Sequence, residues 1–181
     1  MASEPITTSS TANHPVWTVY DRLRDACLNT KYFGRRLSTI KRLNLALDLI
    51  LAISAPSSAV TGLWLWNTTD GQIAWKIFSI LSALIAVTKP LLGQFLSASA
   101  YEAVLSGYKT ILFDLKEIKT SIEQRKTFDE EAQDEFERVK RYEKLIIDKD
   151  PESSHSQRLR RICDSEVREE YPVKSFYIPE D

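Results

Sequence analysis

The chain has 181 residues, 27% of them charged, a formal net charge of −1 and a mean hydropathy of −0.26. So balanced a charge makes no case for nucleic acid as a partner of the whole protein. The average hydropathy blends two unlike populations: residues 43–96 hold almost no charge, whereas the flanks are dense in Lys, Arg, Asp and Glu.

In chain order, residues 1–14 form a Ser/Thr-rich stretch with no apolar core, expected to be a disordered tail and not a signal peptide. Val16, Val19, Leu23, Ala26, Thr30, Phe33, Leu37 and Ile40 then recur at a 3,4 spacing. That spacing predicts an amphipathic helix over 16–42, with Thr30 its one polar member. Two apolar segments follow, over 43–66 and 72–96. Each has roughly 24 residues, about 36 Å as a helix, enough to cross a hydrocarbon core of about 30 Å with some tilt. The polar connector 67–71 can only return the chain antiparallel. The expected fold class is therefore all-α and integral to a membrane, a two-helix transmembrane hairpin with cytoplasmic helical extensions. Trp64, Trp66 and Trp75 stand at the turn end, where an interfacial aromatic belt belongs.

Past the second segment, Tyr101, Val104, Tyr108, Ile111, Leu115, Ile118 and Ile122 make a heptad-like seam, widened by Leu105 and Leu112. The cytoplasmic helical part over 97–148 is expected to hold this helix and a further one over about 128–148, where Thr127 and Glu130 resemble a capping box. Phe128, Ala132, Phe136, Val139, Tyr142 and Ile146 form the apolar face of the further helix. Residues 15–150 read as one domain. Residues 150–154 interrupt the pattern, a short helix is expected over 156–170, and the aromatic end from Tyr171 has the character of an extended docking segment.

Orientation follows from the flanks. Arg22, Arg24, Lys31, Arg35, Arg36, Lys41 and Arg42 precede the first span, and Lys109, Lys116 and Lys119 follow the second. The connector carries Asp70 and no base. This bias predicts both termini in the cytoplasm and the turn outside. The basic run 31–42 also suits anionic headgroups, at about 1 kcal/mol per residue near the surface.

Asp48 and Lys89 lie inside the spans at nearly equal distance from the turn. Each would cost up to about 3 kcal/mol alone at the bilayer centre, so an intramembrane ion pair is the expected arrangement, with separate snorkelling the alternative. Small residues share their faces: Ala52, Ala55, Ala59 and Gly62 with Asp48; Ser82, Ala86 and Gly93 with Lys89. Pro56 and Pro90 are expected helix kinks. Ser57, Ser58, Thr61, Thr88 and Gln94 are candidates for lining a pore between copies, set against the plainer reading that the hydroxyls repair the kinks.

Catalysis finds little support. His14 and His155 fall in polar regions and the glycines are scattered, so no enzyme and no cofactor are expected. Cys27 and Cys163 show neither metal-ligand spacing nor a C-x-x-C pair and read as reduced thiols. The acidic run 130–137 reads as a solvated helix face, as does the basic run Arg158, Arg160, Arg161.

The order of features resembles a known group. A first helix carries Lys31-Tyr32-Phe33-Gly34-Arg35-Arg36-Leu37, the second span ends in Lys89-Pro90-Leu91-Leu92, and a long helix carries Tyr101, Gly107-Tyr108 and Asp114-Leu115. This arrangement, over 17–143, resembles the SLATT group of bacterial two-helix membrane domains. The resemblance implies a membrane effector of a bacterial conflict or antiviral system in the inner membrane. Such a protein would form a homo-oligomeric pore when triggered by a nucleotide-producing or nucleotide-sensing partner. It brings no catalytic residues. The alternative is a non-conducting membrane anchor or adaptor that recruits a cytoplasmic partner.

Overall fold

A computed structural model describes residues 14–54, 69–95 and 97–179. It is all-α, with no strand among the described residues. Five helices follow in order: α1 Val16–Ser54, α2 Thr69–Phe95, α3 Ala98–Arg125, α4 Glu130–Ile147 and α5 Gln157–Glu170, then a 3-10 turn, Val173–Ser175. The chain divides into two units, one of Met1–Arg35 with Ala100–Asp181 and one of Arg36–Ser99.

The first unit is built on the seams that the 3.6-residue period marks out. Val16, Val19, Leu23, Ala26 and Phe33 of α1 are buried, as are all seven of the heptad-like positions of α3. Ala132, Phe136, Val139 and Ile146 of α4 and Cys163 and Val167 of α5 complete the core. Thr30 satisfies its hydroxyl on the Ala26 carbonyl, 2.8 Å away, which lets a polar residue sit in an apolar seam. Gly107 sets how closely α3 meets α4. A Cβ there would lie 2.7 Å from Ile146 Cγ1 and 3.1 Å from its Cγ2.

Three local expectations are corrected. The cap of α4 is Asp129, whose carboxylate accepts from the Ala132 N–H at 3.0 Å, rather than Thr127. An aspartate one residue before the helix meets the first-turn amides directly and carries the charge they favour. Phe128 accordingly lies before the helix, which starts at Glu130; α3 and α4 are separate elements, as expected. The buried seam of α4 runs through Glu143, 7% exposed, and leaves Tyr142 38% exposed. Positions 132, 136, 139, 143 and 146 keep the 4,3,4,3 rhythm, and apolarity alone pointed to the wrong neighbour. Arg22 offers Glu143 a counter-charge at 3.4 Å.

The C-terminal segment docks in extended form. Phe176 stacks on Tyr20 at 4.3 Å, and the Tyr20 hydroxyl donates to the Tyr177 carbonyl at 2.5 Å. Lys126, just past α3, adopts a left-handed φ of 62° and holds its ammonium 4.2 Å from the Tyr177 ring centroid. The contact helps offset a conformation that non-glycine residues disfavour.

In the second unit α2 begins at Thr69, inside the expected turn 67–71, because Asp70 suits the first turn of a helix. Among the described residues no helix is long and apolar enough to cross a membrane. The expected first span, 43–66, is described only to Ser54, and the second, 72–96, coincides with α2 except for residue 96. Lys76 and Lys89 both interrupt the apolar run of α2, so this helix carries a second base besides the one expected to pair.

Candidate functional site

Two groups of residues stand out, one in each unit. In the hairpin unit, Lys89 Nζ donates to Asp48 Oδ1, joining α1 to α2. Asp48 and Lys89 are separated by 41 positions in the chain and meet within the unit Arg36–Ser99. Their side chains remain 58% and 36% exposed in the single chain.

The opposite side of α2 is apolar and uncovered. Ile73, Ile77, Ile80, Leu81, Leu84 and Val87 are between 43% and 72% exposed. At about 100° per residue they fall within a stripe of about 120°, with Lys89 roughly opposite. Leu43, Leu45 and Leu49 of α1 are also exposed, by 43% to 70%. Thr88 lies within the same stripe, and its hydroxyl donates to the Leu84 carbonyl within the helix. Pro90 and Gln94 lie in the last turns of α2. Pro56, Ser57, Ser58 and Thr61 lie outside the described residues, as do residues 1–13.

The second group lies in the helical unit, at the connector between α4 and α5. The Glu152 side chain is 4% exposed. Its Oε2 accepts from the Tyr32 hydroxyl at 2.5 Å and its Oε1 from the Tyr101 hydroxyl at 2.9 Å. His155 Nδ1 stands 3.3 Å from Glu152 Oε2, and its Nε2 stands 3.3 Å from Asp150 Oδ2. The Tyr32 hydroxyl also accepts the Ser156 N–H at 2.9 Å, capping α5, where Ser156 makes no side-chain cap of its own. Phe33 lies edge-on to His155 at 6.0 Å and stacks on Tyr108 at 5.6 Å. Burial pushes the Tyr108 phenol up to about 12, with Glu143 adding to the effect.

Sequence reasoning passed over this cluster. Glu152 and His155 sit in what reads as a polar break, where neither hydrophobic period nor motif draws the eye. The available signal was Tyr32, next to the apolar-face residue Phe33, and Tyr101, two tyrosines whose hydroxyls need partners once buried.

A ladder of charge and sulfur joins α1 to α5. Lys31 pairs with Glu170 at 2.9 Å, Arg35 pairs with Glu166 at 2.5 Å, and the Arg35 guanidinium reaches Cys163 Sγ at 3.8 Å. Cys27 and Cys163 are free, buried thiols, both pushed upward by burial first and a neighbouring glutamate besides. Such thiols are poor nucleophiles. Between α3 and α4 an open groove of about 350 Å³ is lined by Asp114, Glu117, Glu135 and Arg138 among others. Burial, with Glu117 and Glu135 nearby, raises the Asp114 carboxyl.

Comparison of the chain with protein-family models, with curated proteins and with solved structures gave no match.

Proposed function

We propose that residues 36–99 enter a bilayer as a helical hairpin and that copies of the chain associate there to form a triggered pore. The observation that carries this reading is the uncovered apolar surface: nine large aliphatic side chains of α1 and α2, at Leu43, Leu45, Leu49, Ile73, Ile77, Ile80, Leu81, Leu84 and Val87, are at least 43% exposed. Water disfavours this much exposed aliphatic surface, whereas lipid or another copy accepts it. The Asp48–Lys89 pair supports the same reading, because a charge within a bilayer calls for a counter-charge. The described helices fall short as solitary spans. A hairpin with paired charges, packed against further copies, relaxes that requirement. Two helices cannot enclose a water-filled path, so conduction needs several copies. The membrane is the bacterial inner membrane, both termini are cytoplasmic, and a nucleotide-producing or nucleotide-sensing partner is the proposed trigger. This last part rests on the resemblance to the SLATT group.

A non-conducting anchor is the second reading. It is favoured by the stripe on α2 being aliphatic and by Thr88 bonding within its own helix, which leaves little polarity there to line water.

Purified protein in liposomes separates the two. The pore reading expects dye or ion leakage when copies are cross-linked through the cytoplasmic helices, and a loss of leakage when Ser58, Thr61 or Thr88 becomes Leu with insertion unchanged. Membrane-inserted protein that never leaks under cross-linking establishes the anchor. Protein that stays in the aqueous phase refutes both.

A further inference from the structure

On the reading that residues 36–99 form a membrane hairpin, we propose that Glu152 is a latch holding the hairpin's outgoing and returning helices together at their roots. Tyr32 lies one helical turn before Arg36, where the hairpin unit begins, and Tyr101 directly follows Ala100, where the helical unit resumes. Each gives its hydroxyl to a different oxygen of the same carboxylate, at 2.5 and 2.9 Å. The two roots are therefore fastened through a third element, the connector between α4 and α5, which belongs to neither of them.

The connector is built to hold that carboxylate and to let it go. Asp150 Oδ1 accepts the Glu152 N–H at 2.9 Å, which fixes the backbone. The His155 ring lies between Asp150 and Glu152, 3.3 Å from a carboxylate oxygen of each. The Tyr32 hydroxyl also accepts the first amide of the α5 cap, so a displacement of α5 breaks the same set of bonds. Hydrogen bonds to a charged, water-excluded carboxylate are strong, and losing one donor leaves the charge under-compensated. The set therefore holds or fails as a unit. A partner that draws α5 or the connector aside would free Tyr32 and Tyr101 together and let the two roots separate. The trigger acts on the connector, outside the membrane-facing surface.

Amide hydrogen exchange on the full-length chain tests the latch, in nanodiscs or, if the protein purifies without lipid, in buffer. In Tyr101→Phe, exchange should rise not only beside residue 101 but across α1 at residues 28–36. In Glu152→Gln it should rise at both roots. The expected acceleration is roughly ten- to hundredfold, the range for one charge-assisted hydrogen bond. Acceleration in Tyr101→Phe confined to α3, with residues 28–36 at the wild-type rate, would overturn the latch. If Glu152→Gln does not fold, the cross-helix response of Tyr101→Phe decides alone. Dye leakage measured on the same variants separates the two proposals. Loosened roots with higher basal leakage support both. Loosened roots without leakage keep the latch and count against the pore.

Discussion

Gly107→Ala is the most informative small change in the helical unit. In a helix interior the substitution by itself stabilises by about 1 kcal/mol, because alanine loses less backbone entropy and has the higher helix propensity. Here the new methyl would stand 2.7 Å from Ile146 Cγ1 and 3.1 Å from Cγ2, with Cδ1 closer still. Overpacking of this kind costs about 1–3 kcal/mol. Ile146 is 3% exposed and fixed between α3 and α4, so it has little room to yield. The steric cost therefore outweighs the propensity gain, with a net loss of up to about 2 kcal/mol, or up to roughly 8 °C in Tm for a chain of this size. Ile146→Ala alone opens a cavity and costs about 2–5 kcal/mol. In the double variant the methyl introduced at position 107 enters the vacated space, so the combined cost should be smaller than the sum of the single costs by at least about 1 kcal/mol. Reversible unfolding of the full-length chain followed by circular dichroism measures the cycle. Additive losses, or a Gly107→Ala protein more stable than wild type, would refute the claim that glycine is needed for this helix approach.

Glu143 carries a pH signature. Burial raises its pKa above the ordinary 4.5, and Arg22 opposes the shift only in part. A raised folded pKa means that the native state binds the proton more tightly, so this group's contribution is full below about pH 4.5 and is lost as pH rises through the folded value. Glu143→Gln should therefore raise Tm at pH 7 and match wild type near pH 4; an unchanged pH profile of Tm would contradict this. Asp48→Ala and Lys89→Ala should each destabilise the lipid-reconstituted protein more than the double variant predicts by addition, and strict additivity would mean that the pair contributes nothing. A cysteine at Thr69 should react with an impermeant maleimide in intact spheroplasts, against little background, since Cys27 and Cys163 are 3% and 0% exposed. Reaction only after permeabilisation would reverse the topology.

Most of the helices of the first unit, and the inner faces of α1 and α3, were legible in the sequence. Val16 to Phe33 and Tyr101 to Ile122 are legible because burial on a helix repeats every three or four residues, a pattern local in the chain. The partnership of Asp48 with Lys89 was legible for a related reason: two lone opposite charges in neighbouring apolar helices of one unit call for each other. The hydrogen bonds of the Glu152 cluster, by contrast, join residues far apart in sequence and emerge with the packed fold. Glu152 reaches Tyr32, 120 positions away, and Tyr101, 51 positions away, and nothing local distinguishes it from the other acids of a solvated linker. The same holds for Glu143, whose charge argued for the surface while its helical phase placed it inside. Hydrophobic periodicity reports which side of a helix is buried. Hydrogen bonding depends on ångström-scale placement of atoms from separate elements, and that placement exists only once the elements have packed.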